Sequence, residues 1–239
     1  MNIKVIIAIV ILLFVGANVF AQKQSTNELL KEYGLNTDNI LSSLDLSKAK
    51  YSFKAKSVTK TEQEANHSTS EKKIEYLFDS SKPNGEKYKL ISSKGKTPSK
   101  RDIKRFNKEK NLVVDAPAFK LQEKDFFVKE DNDTELIIGF NIPSDKVNSK
   151  IAFMAHCTGY IHINKKTKRM NKLNIKSKEA FNIKIFHVTE MNLDIDIAYN
   201  SEFSQYYVSG EHSVMKVIIL GALTNLDVKE TYSDFNFNK

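Results

Sequence analysis

The side chains with most chemistry to offer lie in the second half of the chain: His156-Cys157, His162, His187, Ser209-Gly210-Glu211-His212, and the pair Asp194 and Asp196. A metal centre needs several such groups to converge on one point. Neighbours on a strand point to opposite faces, so His156 and Cys157 do not share an ion. His156 and His162 share a face but stand roughly 20 Å apart on an unbroken strand. His187 and His212 fall on other strands, and no spacing brings them together, so no metal is expected. Cys157 reads as a small buried hydrophobe. Nucleophilic catalysis has no better support. The chain has no G-x-S-x-G elbow, and Gly210 reads as a strand bend or bulge. Asp194 and Asp196 lie opposite Leu193 and Ile195, on a face expected to meet water, whereas acid–base work requires a cleft. Gly95-Lys96-Thr97 imitates the end of a phosphate-binding loop, but Leu90 stands where its first glycine belongs and Pro98 breaks the continuation. No catalytic residue, metal or cofactor is expected, and the chain is not expected to be an enzyme.

These residues are carried by alternating apolar runs. From residue 151 to about 220 such runs follow one another closely: Phe181, Ile183 and Ile185, then Leu193, Ile195, Ile197 and Tyr199, then the run beginning at Tyr207. Period-two alternation buries one face of a strand, and runs this close are joined most simply as an antiparallel meander. Strands are also expected at 50–61, 74–78, 87–92 and 135–142, with the polar stretch 62–73 as a long hairpin end. Residues 116–128 fit helix or strand equally. Tyr232, Phe235 and Phe237 are expected to close the sheet near the C-terminus.

Three helical segments flank these strands. Ser25 with Glu28 forms a capping pattern ahead of Leu29 and Leu30, predicting a short helix to Tyr33. Ile40, Leu41 and Leu44 predict a second over 38–46. Thr97 as cap and Pro98 at the first helical position predict the clearest, with Ile103 and Phe106 inward. Lys100, Lys104 and Lys108 recur every four residues along it, with Arg101 and Arg105 beside them. This basic face either contacts anionic headgroups or polysaccharide, or is simply solvated on a lysine-rich chain.

Residues 1–21 stand apart. Lys4 is followed by an unbroken apolar run from Val5 to Val15, and Val19 and Ala21 sit at the small-residue positions before Gln22. That is the layout of a secretory signal peptide, too short for a comfortable membrane span. Cleavage after Ala21 leaves a single domain at 22–239, expected in the periplasm or secreted. With one cysteine it forms no internal disulfide, and a monomer is expected. The net charge is +8. In an exported chain this points to anionic membrane surface or glycan, or simply to solubility, rather than to nucleic acid.

Phe153, Tyr160, Phe181, Phe186, Tyr199, Tyr206 and Tyr207 offer more than enough surface for a core, and Phe153, Tyr160, Phe181, Ile183, Ile185 and Tyr207 are the candidate lining of a hollow. Either all of it packs against the helices, or part lines a hollow for an acyl chain or apolar peptide. At about 0.8 kcal/mol per buried methylene, a long acyl chain needs no polar motif to bind.

Several stretches together resemble a known family. They are residues 76–92 around the turn Asp79-Ser80-Ser81-Lys82-Pro83-Asn84-Gly85, then Gly95-Lys96-Thr97-Pro98-Ser99, the hairpin running from Thr158-Gly159-Tyr160 to Lys165-Lys166-Thr167, and Tyr207-Val208-Ser209-Gly210. In these the chain is similar to exported bacterial proteins of the LolA/LolB-like lipoprotein-carrier superfamily. The resemblance implies an α+β fold: a strongly curved antiparallel β-sheet, an incomplete barrel, with short helices packed on its concave side. The ligand expected in such a half-barrel is a lipid, an acyl chain or an acylated or apolar peptide, with an envelope protein or the membrane surface as a further partner. The chain lacks the N-terminal cysteine on which LolB-like proteins are lipidated, and no lid arginine of the LolA type aligns. The alternative function is non-catalytic docking on the envelope through the sheet or the basic helix.

Overall fold

A computed structural model describes residues 25–37, 40–41, 49–83, 85–114, 121–147, 151–183, 186–219 and 221–237, with side chains at 111–114 left aside. The predicted signal peptide, most of the second helical segment, Phe119 and Ile185 lie outside these residues.

The alternating runs become strands joined in antiparallel pairs. A first unit comprises β1 (Tyr51–Gln63), β2 (Ser68–Phe78) and β3 (Tyr88–Ser93). The long polar hairpin expected after β1 is present, turning through Glu64–Asn66 and the left-handed residue His67. The meander follows as β4 (Phe126–Asp131), β5 (Glu135–Asn141), β6 (Cys157–Asn164), β7 (Arg169–Ser177), β8 (Phe181–Ile183), β9 (Phe186–Asn200), β10 (Gln205–Ile219) and β11 (Ala222–Phe237). The order across the sheet is β3-β2-β1-β11-β10-β9-β7-β6-β5-β4, with β8 on the remaining half of β9. Every pairing is antiparallel. The last strand therefore lies inside the sheet, between β10 and β1, and does not close an edge.

The eleven strands form one curved sheet that stays open between β3 and β4. Register shifts at Ser52/Lys54, Glu75/Tyr76, Val208/Gly210 and Lys216/Val217 supply the bending, since an extra residue on one strand sharpens the local twist. The bulge expected at Gly210 places the extra residue at Ser209. Close packing also dictates glycine. The ring of Phe140 lies over Gly159, where a methyl carbon would stand 2.0 Å from it, and Phe127 covers Gly139 in the same way.

Helix α1 (Thr26–Lys31) opens with the expected box: Ser25 Oγ accepts from the Glu28 amide, and the Glu28 carboxylate accepts from the Ser25 amide. Its Leu30, with Leu35 and Ile40, covers the main core formed by Leu136, Ile138, Phe140, Ile161, Ile163, Leu173 and Ile175. Helix α2 (Lys100–Val114) covers a second, aromatic core of Tyr51, Phe53, Tyr76, Phe78 and Leu90 through Phe106.

Two details of α2 differ from expectation. Ser99 is its cap, exchanging hydrogen bonds with Asp102, so Thr97 and Pro98 precede the helix. Ser99 is followed three residues on by an acid, and Thr97 is not. Ile103 is 40% exposed; with Phe106 central to the buried side, Ile103 falls at its margin. The ambiguous 116–128 stretch resolves, where described, into a 3-10 turn at Glu123–Asp125 and β4. Residues Ala152–His156, read as the start of a strand, form a 3-10 turn. It seats Phe153 on Phe181 with ring centres 5.7 Å apart.

Candidate functional site

Residues opposite each other in antiparallel strands project from the same face, so the register lays out the inner surface in rows. One row runs Leu173, Ile195, Glu211, Glu230, Ser57, Ile74; the next runs Ile175, Leu193, Ser213, Val228, Thr59, Lys72. A third runs Met191, Met215, Leu226, Thr61, Ser70. The inner face is thus apolar on β7 and β9, mixed on β10 and β11, where Glu211, Ser213 and Glu230 interrupt it, and mostly polar on β1 and β2. Leu173, Ile175 and Met191 are buried, whereas Leu193, Ile195, Met215, Leu226 and Val228 are only half-buried. They form an apolar strip on the central strands.

At the polar end of this strip two carboxylates face each other. Glu211 and Glu230 are direct cross-strand partners, an arrangement that costs stability when both are charged. The surroundings deal with it in two ways. Glu230 Oε2 accepts from the hydroxyls of Tyr76 at 2.5 Å and Tyr232 at 3.1 Å, while Oε1 has Lys110 Nζ at 3.4 Å. Lys110, from α2, also donates to Tyr76 Oη at 3.0 Å and stands 4.3 Å from that ring's centre. Among the described residues no lysine or arginine pairs directly with Glu211, although the Tyr232 hydroxyl and the charge of Lys110 favour its ionised form. As a residue it is half-buried, but its carboxyl is desolvated, and that burial, with the charge of Glu230, pushes its pKa up. Burial and the two glutamates likewise raise the phenols of Tyr76, Tyr88 and Tyr232.

Beside this network a cleft of about 250 Å³ opens between α2 and the sheet, lined by Ser57, Thr59, Lys72, Ile74, Phe106, Glu109, Lys110, Val228 and Glu230. A larger one of about 380 Å³, at the far end of the β1–β2 hairpin, has only polar lining. None of the first cleft's charged groups stood out in the sequence. The single available signal was that Glu211 and Glu230 interrupt apolar alternation, and only the register reveals that they meet.

Of the residues expected to line an apolar hollow, Phe153, Phe181 and Ile183 come together, but Tyr160 and Tyr207 lie elsewhere. Phe181 is buried in the main core, with Phe153 and Ile183 packed against it. Tyr160 is on the face of β6 opposite Ile161 and Ile163, paired with Gly139 and Asn174. Tyr207 joins the aromatic core, against Tyr51, Phe235 and Phe237. The basic residues are better placed: Lys100, Arg101, Lys104, Arg105 and Lys108 are all exposed. At 100° per residue they occupy an arc of roughly 140° opposite Phe106.

The histidines are separately engaged. His156, His162 and His212 contact Glu179, Glu135 and Asp227 at 2.8, 2.9 and 3.0 Å, and His187 contacts the Asn182 side chain at 2.9 Å. No cluster of three potential metal ligands occurs among the described residues. Ser209 Oγ donates to the Asp196 carbonyl. Asp194 is not merely solvated: burial opposes its charge, but hydrogen bonds from Lys172 and Asn174 prevail and hold its pKa down.

The site and sheet define an α+β protein built on an open, curved antiparallel sheet with one half-covered apolar face. No family model and no curated protein matches the chain. Among solved structures it is similar to a LolA superfamily protein from Nitrosomonas europaea, at 11% identity, covering 84% of this chain and 93% of that one with a TM-score of 0.33. It is also similar to a putative outer membrane lipoprotein-sorting protein domain from Vibrio parahaemolyticus (8% identity, 77% and 85% covered, TM-score 0.31). A DUF1329 family protein from Desulfovibrio piger is a third (11%, 84% and 94%, TM-score 0.31). The architecture rests on the strand pairing, and these similarities add no detail to the site. No helix among the described residues is long and apolar enough to cross a membrane.

Proposed function

We propose that this protein, exported through a cleaved leader at residues 1–21, binds a hydrophobic ligand in its half-barrel and carries or holds it in the cell envelope. The observation that carries this reading is the strip of Leu193, Ile195, Met215, Leu226 and Val228, half-buried between the segments that cover the two cores. Apolar side chains contiguous on one face and short of full burial gain when a ligand covers them, at roughly 25 cal/mol per Å². The ligand class is a lipid, acyl chain or apolar peptide, and the lining moves from the residues expected from sequence to this strip. Native mass spectrometry followed by organic extraction tests it. A copurified lipid near one per chain, or saturable uptake of a fluorescent fatty acid weakened by Leu193→Asp, supports the reading. A bare mass with no uptake removes it.

The basic arc of α2 supports a second reading, docking on an anionic surface, with exposed Ile103 at its margin. Cosedimentation with phosphatidylglycerol vesicles, lost in Arg101→Glu/Lys104→Glu and at high salt, is the expected outcome. Binding unchanged by the double substitution refutes it.

A further inference from the structure

The cleft under α2 has features that an apolar hollow does not require. Val228 belongs both to the cleft and to the apolar strip, so the two are continuous. The cleft is lined by two carboxylates, Glu109 and Glu230, and two ammonium groups, Lys72 and Lys110. On its floor Ser57 is 4% exposed, and its hydroxyl has no hydrogen-bond partner among the described residues. A hydroxyl that opens into the cleft without a protein partner is free to accept from a ligand donor. Ser57 is the direct cross-strand partner of Glu230, whose Oε1 has only the long Lys110 contact, 3.4 Å, while Oε2 is taken by two tyrosines. Two acceptor atoms with spare capacity therefore sit side by side where the apolar strip ends.

We propose that this cleft is a head-group subsite for a phospholipid bearing a primary amine, with the acyl chain on the strip. The ammonium donates to Glu230 Oε1 and Ser57 Oγ, and the phosphate lies toward Lys72 and Lys110. A purely anionic head group has the phosphate's partners but nothing to offer Glu230, and it meets Glu109 and Glu211 as repulsion. A trimethylated ammonium carries the charge but no N–H for Ser57. Binding an ammonium also adds a second cation, beside Lys110, for the two charges of the Glu211–Glu230 pair. The inference rests on the ligand-binding reading above, which it deepens by naming the head group.

The test is calorimetric titration of the full chain with four ligands of equal acyl length: lysophosphatidylethanolamine, lysophosphatidylcholine, lysophosphatidylglycerol and the free fatty acid. The primary amine is expected to bind about tenfold more tightly than the choline and glycerol lipids, the scale of one charge-assisted hydrogen bond. Ser57→Ala and Glu230→Gln should each remove that preference and leave fatty-acid affinity unchanged. Ser57→Ala alters one atom, so it serves if Glu230→Gln fails to fold. Equal affinity for all four ligands, or a preference that survives Ser57→Ala, overturns the head-group subsite while acyl binding stands. If nothing binds, both readings fall.

Discussion

Lys110 is the charged link from α2 into the glutamate–tyrosine network, beside the ring contact of Phe106 with Tyr76, and replacing it with methionine makes a quantitative test. Methionine keeps the apolar stem but removes the 3.4 Å approach to Glu230, the 3.0 Å donation to Tyr76 and the charge over its ring. A hydrogen bond to a charged group is worth about 1.5–3 kcal/mol, and a partly exposed cation–π contact about 0.5–1 kcal/mol. The Lys110 and Glu230 side chains are 22% and 12% exposed, so screening is partial. A loss of about 2 kcal/mol is expected, or about 6 °C in Tm for a chain of this size. Much of that cost comes from stranding Glu230 beside Glu211 without its cation. Glu230→Gln in the Lys110→Met background should therefore restore stability, giving a coupling of about 1–2 kcal/mol in a double-mutant cycle read by urea unfolding. A coupling within about 0.5 kcal/mol of zero is ordinary additivity and would refute the proposed ion-pair role.

The other predictions concern neighbouring features. Because the carboxyl of Glu211 has a raised pKa, the folded state holds its proton more firmly than the unfolded chain does. Its contribution is fully present below the ordinary carboxylate range and lost as pH rises through the raised value. Glu211→Gln should thus match wild type near pH 4 and exceed it at pH 8, by on the order of 1 kcal/mol; parallel Tm–pH profiles would contradict this. Gly159→Ala should cost about 2–3 kcal/mol by driving a methyl into Phe140, and Phe140→Leu in the same chain should recover part of it in thermal melts. Cys157 is fully buried, with its thiol pushed up to about 11 by desolvation. It should resist a thiol-specific chromogenic reagent at pH 8 until guanidinium unfolds the protein, and rapid native labelling would contradict that burial.

The parts of this structure legible in the sequence are those that depend on one strand or helix turn at a time. Leu136, Ile138 and Phe140 alternate, and β5 is found there. Ser25 and Glu28 have capping-box spacing, and the box forms. Phe153 shows where local reading fails: its apolar neighbours suit a strand, but stacking on Phe181 is satisfied by a 3-10 turn. The candidate site is less legible still, because it depends on which strands lie side by side. Glu211 meets Glu230, and Glu230 meets Ser57, only because β11 enters between β10 and β1 in this register. Tyr160 and Tyr207 carry the right surface for a ligand, but pairing and a bulge send one to the other face and the other into an aromatic core.

The position of β11 has a consequence for how the chain is made. Tyr51 pairs with Phe237, so the first strand of the sheet finds its neighbour in the last described residue. A polypeptide emerging from its N-terminus can form the β1–β2–β3 unit early, but that unit has nowhere to dock until β11 has been delivered. Such long-range closure is slow compared with local pairing. The β1–β2–β3 unit therefore joins the rest of the sheet only once β11, the last of its strands to be made, is in place.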